Sequence, residues 1–200
     1  MHARILLVDY GEVLSEAQPA ETLGAMAELA RMPVASFVDR YWEHRPPYDR
    51  GGSAGEFWSA MLGGEPEERT LDELVRLDVA SWLEINEATL QVLEEIRSHG
   101  VPISLLSNAP RELAEALRRD PLFELFEHLI FSSELGIVKP ERGIFDTASE
   151  IVSAAPGEIV FVDDRAGNVQ AAADAGMQAL LFSSAAQLRS ALGGWLTQVP

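Results

Sequence analysis

Cysteine is absent from the 200-residue chain, so disulfides and thiolate metal sites are excluded. Cations are scarce: 15 Lys and Arg stand against 32 Asp and Glu, for a formal net charge of −17. Binding to nucleic acid needs clustered basic residues that neutralise phosphates, so this balance predicts no nucleic-acid partner. Attraction to an anionic membrane surface is disfavoured for the same reason. No apolar run approaches the roughly 18 residues of a membrane span. The first run, at 5–8, is broken by Asp9, so no secretory leader is expected and a cytoplasmic location is. An acidic protein can still take a phosphorylated substrate where a divalent cation offsets the charge locally.

What the chain does contain is a recurring pattern. Ile5-Leu6-Leu7-Val8 reads as a buried strand, and Asp9 follows it directly. Val160-Phe161-Val162 leads into Asp163-Asp164, and Ile103-Ser104-Leu105-Leu106 leads into Ser107-Asn108. In a parallel sheet the carboxyl ends of the strands form the crevice where ligands bind. Polar groups repeated at such ends point to one shared site, and therefore to an enzyme.

Between 19 and 84 the apolar spacing is helical, as in Leu23, Met26, Ala27 and Ala30, or Leu71, Leu74, Val75 and Val79. Ser53 with Glu56 reads as a capping box. The stretch 45–52, with Pro46, Pro47, Gly51 and Gly52, reads as a loop. From Asn86 onward helices at 86–99, 111–119, 142–153, 167–175 and 185–196 alternate with strands at 102–106, 128–131, 159–162 and 178–182. Such alternation implies parallel strands with right-handed crossovers. The expected fold is α/β: a doubly wound, Rossmann-like parallel-sheet core from 1–15 and 86–200, with an all-helical cap inserted at 16–85.

Asp9, Ser107, Lys139 and Asp163-Asp164 together suit phosphoryl transfer. A carboxylate can act as nucleophile, and Mg2+ takes carboxylates, phosphate and water as ligands. A hydroxyl and an ammonium can hold the oxygens of the transferring group. Taken singly, each has a plainer reading. Asp9 could end a strand in a turn, and Ser107 or Asn108 could cap the next helix. Lys139 could be a solvated loop residue. The adjacent Asp163 and Asp164 repel each other, and a cation explains them better.

These residues, in this order, resemble the haloacid dehalogenase superfamily. The resemblance rests on four segments: Leu7-Val8-Asp9-Tyr10-Gly11-Glu12-Val13-Leu14, Leu106-Ser107-Asn108, Val138-Lys139-Pro140 and Val160-Phe161-Val162-Asp163-Asp164. It implies that Asp9 is the nucleophile and a metal ligand. Ser107, with Asn108 beside it, would bind the phosphoryl group, and Lys139 would hold nucleophile and phosphate in register. Mg2+ would be bound by Asp9, the Gly11 carbonyl, Asp163 and Asp164, with Asp164 the more direct of the last pair. The resemblance extends to phosphatases of small phosphorylated metabolites and to the phosphatase domain of epoxide hydrolases, through the segment 48–58. Arg45 and Tyr48 are the cap's candidates for substrate contact, while Tyr41 and Trp42 are expected in the cap core.

One position departs from the pattern. Phosphatases of the superfamily usually carry a second Asp two residues after the nucleophile, as acid and base; here it is Gly11. Dehalogenases also lack it, so a metal-independent 2-haloacid dehalogenase and a weakened phosphate-binding protein stay as alternatives. Glu12 is a possible substitute acid at a different offset. Asn168 either orients Asp164 or begins its helix.

Overall fold

Strand β1 (Ile5–Val8) is the centre of the sheet because its side chains find apolar partners on both faces. Leu6 and Val8 pack on one side and Leu7 on the other, the two-residue alternation of a strand. The computed structural model describes residues 5–196. Residues 1–4, where no leader is expected, and 197–200, the end of the expected core, lie outside them. Strands β2 (Ile103–Ser107), β3 (His128–Phe131), β4 (Ile159–Asp163) and β5 (Gln178–Leu181) complete a five-stranded sheet of order β3-β2-β1-β4-β5. Every pairing is parallel. The chain builds outward from β1 to β3, then returns to place β4 on the other side of β1. That reversal of strand order opens a crevice at the carboxyl ends of β1 and β4.

Helices cover both faces. Five lie between β1 and β2: α1 (Ala20–Leu29), α2 (Val34–Asp49), α3 (Ala54–Leu62), α4 (Glu68–Ala80) and α5 (Glu87–Ser98). The remainder are α6 (Arg111–Arg119), the single turn α7 (Ser132–Leu135), α8 (Arg142–Ile151), α9 (Ala166–Asp174) and α10 (Ala185–Leu196). Helices α5, α6 and α10 pack through Leu93, Leu113 and Leu188 onto the face of Leu6 and Val8. Helices α8 and α9 pack through Phe145 and Ala172 onto that of Leu7 and Phe161. Helices α1–α4 have a core of their own around Phe37, Tyr41, Trp58 and Leu74. The two chain crossings into this helical insert run side by side: Glu16 N donates to Glu84 O and Asn86 N to Leu14 O, both at 2.8 Å. The Ser53–Glu56 capping box starts α3.

The stretch expected to be a loop at 45–52 is helical as far as Asp49, with Pro46 and Pro47 inside the last turn of α2. A proline in a helix interior costs about 3 kcal/mol, but near the end little helix follows that must be kept in register. The turn is also held from outside. Arg45 pairs with Asp49 at 2.7 Å and Asp78 at 3.2 Å, and the Tyr48 ring stacks on Phe57 with centroids 4.5 Å apart. Distant partners on α3 and α4, invisible to a local reading of proline, decide this segment.

The helix stops where the insert meets the core. Gly51 has φ +105°, and a Cβ there would lie 2.7 Å from the Ser133 carbonyl oxygen. Gly51→Ala is expected to destabilise the protein by roughly 1–3 kcal/mol through backbone strain plus this overlap. Urea denaturation checks it; an unchanged midpoint would mean the contact relaxes without cost.

Candidate active site

Asp9 leaves the end of β1 with its backbone still in the sheet, N–H donating to Val162 O at 2.9 Å. Its side chain is 9% exposed. Oδ1 accepts from the Tyr10 N–H at 2.7 Å and meets Lys139 Nζ at 2.6 Å. The same ammonium donates to Asp163 Oδ2 at 2.7 Å and to the Leu106 carbonyl at 3.1 Å. Lys139 thus joins the ends of β1, β2 and β4. Its position is set by Asn108, whose Oδ1 accepts from Lys139 N at 2.8 Å and whose Nδ2 donates to Lys139 O at 2.9 Å. The Asn108 amide, expected to touch substrate, is committed to the backbone of the lysine.

Asp163 is fully buried. Oδ1 accepts from the Arg165 N–H at 2.8 Å and Asn168 Nδ2 at 2.9 Å; Oδ2 accepts from Lys139 and from Asn168 at 3.0 Å. Asn168 therefore orients Asp163 rather than Asp164. Asp164 is half-buried at the cavity wall, and among the described residues no other residue donates a hydrogen bond to its carboxylate. Carboxylate oxygens of Asp9, Asp163 and Asp164 lie within 4.8 Å of one another. The donors are all oxygen, which fits Mg2+. Asp163 has its oxygens occupied, so Asp9 and Asp164 are the carboxylates available to a cation.

Burial pushes the Asp9 carboxyl up to about 7, against the pull of Lys139, with the charges of Asp163 and Asp164 adding to the rise. Asp164 is raised by burial and by Asp163. Lys139 is disfavoured as a cation by burial, but Asp9 and Asp163 more than offset this and hold it protonated. Three carboxyls around one ammonium leave an excess of negative charge that a divalent cation would relieve.

Asp9, Gly11, Ser107, Lys139 and Asp164 line an inner cavity of about 50 Å³. It opens into an outer one of about 510 Å³ walled by Pro46, Asp49, Val138 and Arg165. Trp42, expected in the cap core, lines both, and the Arg165 guanidinium lies 5.2 Å from the centre of its ring. Arg45 also reaches both cavities, but it is 3% exposed and its nitrogens serve Asp49, Tyr41 and Asp78. Tyr48 lies outside the cavity walls. The turn of α2 that was expected to be a loop carries it inward onto Phe57, and its hydroxyl donates to Glu112 Oε2 at 2.9 Å. Glu12, an exposed residue at φ 55°, stands at the rim of both cavities.

Sequence reasoning passed over Asp49, Trp82 and Arg165, all at this wall. Arg165 follows the Asp pair directly, and its place could have been read. Another signal was available for Lys139: it is the only lysine in the chain, the other 14 side-chain cations of this kind being arginine.

A parallel sheet with a carboxylate at the end of its central strand, a lysine joining three strand ends and helices inserted after the first strand defines an α/β enzyme. The family model for haloacid dehalogenase-like hydrolase matches residues 7–176, and the chain belongs to that family. It is 29% identical over 128 residues to bifunctional epoxide hydrolase 2 of Rattus norvegicus, covering 60% of this chain and 23% of that protein. It is 28% identical over 137 residues to phosphatase MT3486 of Mycobacterium tuberculosis, covering 67% and 63%. The chain thus spans less than two thirds of the length of either relative. A haloacid dehalogenase family enzyme of Bacteroides thetaiotaomicron, solved with magnesium and inorganic phosphate, shares the fold at TM-score 0.72 and 19% identity, over 90% of this chain and 94% of that one. Among the described residues no helix is long and apolar enough to cross a membrane.

Proposed function

We propose that the chain is a magnesium-dependent phosphatase for a small phosphorylated metabolite, working through an aspartyl-phosphate on Asp9. The observation that carries the reading is the bridge of Lys139 between Asp9 and Asp163, with Asp164 open beside it. Held at Asp9, Asp164 and the Gly11 carbonyl, Mg2+ would supply positive charge against the phosphoryl oxygens. Asp9 attacks phosphorus while Lys139 fixes the orientation of its carboxylate. Ser107, buried at the end of β2, offers its hydroxyl to an equatorial phosphoryl oxygen. The helical insert, residues 16–85 in this reading, excludes bulk water from the inner cavity. Relatives named as phosphatases support the reaction class.

Phosphate release from a panel of phosphorylated metabolites, present with Mg2+ and lost with EDTA, tests the reading. Metal-independent halide release from a 2-haloacid would replace it with dehalogenation.

Asp164→Ala is expected to weaken Mg2+ binding roughly tenfold or more, and Ser107→Ala to leave it nearly unchanged. Calorimetric titration decides; equal affinity in wild type and Asp164→Ala would remove Asp164 from the metal site.

A further inference from the structure

Hydrolysis of a phosphate ester has a requirement that Gly11, two residues after the nucleophile, does not meet. The leaving alkoxide must gain a proton, and the water that resolves the aspartyl-phosphate must lose one. Gly11 has no side chain for either transfer. We propose that Asp49 performs both from the helical insert. Its carboxyl gives a proton to the leaving-group oxygen as the P–O bond breaks. The resulting carboxylate then takes a proton from the water that attacks the phosphorus on Asp9, which restores the acid. This assignment rests on the phosphatase reading and names the residue that moves its protons.

Asp49 ends α2 and lines the same inner cavity of about 50 Å³ as Asp9, one on the insert and one on the core. In-line displacement puts the leaving oxygen on the far side of phosphorus from the nucleophile, so its proton has to come from a group elsewhere on the cavity wall. The register of Asp49 is fixed against the phosphate-binding loop. Ser132 Oγ donates to the Asp49 carbonyl and accepts from the Ala109 N–H at 3.0 Å, two residues beyond Ser107. Two residues further on, Gly51 presses against the Ser133 carbonyl.

The carboxylate is held at one oxygen only. Oδ1 accepts from Arg45 Nε at 2.7 Å, and among the described residues no hydrogen bond reaches Oδ2. The charges facing it are Arg45 on its own helix, Asp78 from α4 and Arg165 from the start of α9. Burial raises its proton affinity and Asp78 adds to the rise, while Arg45 and Arg165 oppose it; the balance lies above the ordinary carboxylate range. Glu12, the other carboxylate at this wall, is exposed to solvent at the rim.

The test compares kcat/KM, which reports the first transfer alone, for 4-nitrophenyl phosphate and a simple alkyl phosphate with Mg2+. Asparagine at position 49 keeps the volume and an acceptor for Arg45. Asp49→Asn is expected to lower kcat/KM for the alkyl ester about 10²-fold or more, and for the nitrophenyl ester by less than about threefold, because nitrophenolate leaves without a proton. Adding Gly11→Asp to that variant is expected to restore the alkyl ester. Gly11 lies outside the positive-φ region, and a Cβ there would sit 3.7 Å from Trp82 Cζ3, an ordinary contact.

Equal losses on both esters, or no loss on either, would overturn the assignment. So would a selective loss in Glu12→Gln in place of Asp49→Asn. Wild-type protein that releases phosphate from no ester would remove the phosphatase reading and this inference with it. Turnover by wild type without a selective effect at Asp49 would remove the inference alone.

Discussion

Asp9→Asn is expected to lower phosphate release by roughly 10⁴-fold or more, the scale on which loss of a covalent nucleophile acts in hydrolases. The amide has nearly the same shape but does not attack phosphorus. Folding should survive the change. Asp9 sits beside two other carboxylates, and burial already raises its proton affinity to about 7. Replacing it removes a buried repulsion, while Lys139 keeps Asp163 at 2.7 Å. The purified variant should therefore unfold at or above the wild-type temperature and yield no phosphate beyond background. Retention of more than about a few per cent of activity, with contamination excluded, would mean that the reaction does not pass through Asp9.

Lys139→Met tests the same cluster from its positive side, and the expected loss is in stability as well as turnover. Lys139 is 5% exposed, with Nζ 5.6 Å from the centre of the Phe161 ring, so methionine fits the volume but leaves two buried carboxylates without their cation. Breaking such a cluster costs roughly 3–5 kcal/mol. The sign of the pH dependence follows from Asp9. Its folded pKa is raised from 3.8 to about 7, so it binds its proton more tightly folded than unfolded. The stability it contributes is complete below about pH 4 and lost as pH rises through about 7. Without Lys139 that folded value moves higher still, and the penalty of the substitution grows with pH. Urea denaturation of metal-free protein should show a larger difference between wild type and variant at pH 8 than at pH 5. The same difference at both pH values would mean that the ammonium does not hold Asp9 ionised.

The strands were legible because a buried parallel strand is an apolar run, and the polar residue that ends it stands out. That sufficed to place Asp9, Ser107 and Asp163 at neighbouring strand ends, and the helical spacing that follows pointed to the helices α1–α4. Division of labour among adjacent groups was not legible. Asp163 and Asp164 are chemically identical in the sequence; only Asn168, Lys139 and the Arg165 N–H show which is enclosed. Asn108 binds the Lys139 backbone, 31 positions away, a pairing that no local pattern encodes. The last turn of α2 was misread because proline was weighed as a breaker, while the Arg45–Asp78 pair that steadies it comes from α4. Misplacing that turn hid Asp49 and put Tyr48 at the cavity instead of in the packing against Phe57.

The single lysine of this chain lies sealed between Asp9 and Asp163, and every other long cationic side chain is a guanidinium. Reagents that acylate or alkylate amines therefore find no ε-amino group on the folded surface among the described residues. Reaction at Lys139 requires the cluster to open, so the rate at which an amine-directed label enters that position measures opening of the candidate active site. Read at that position, the label is a chemical reporter that needs no engineering.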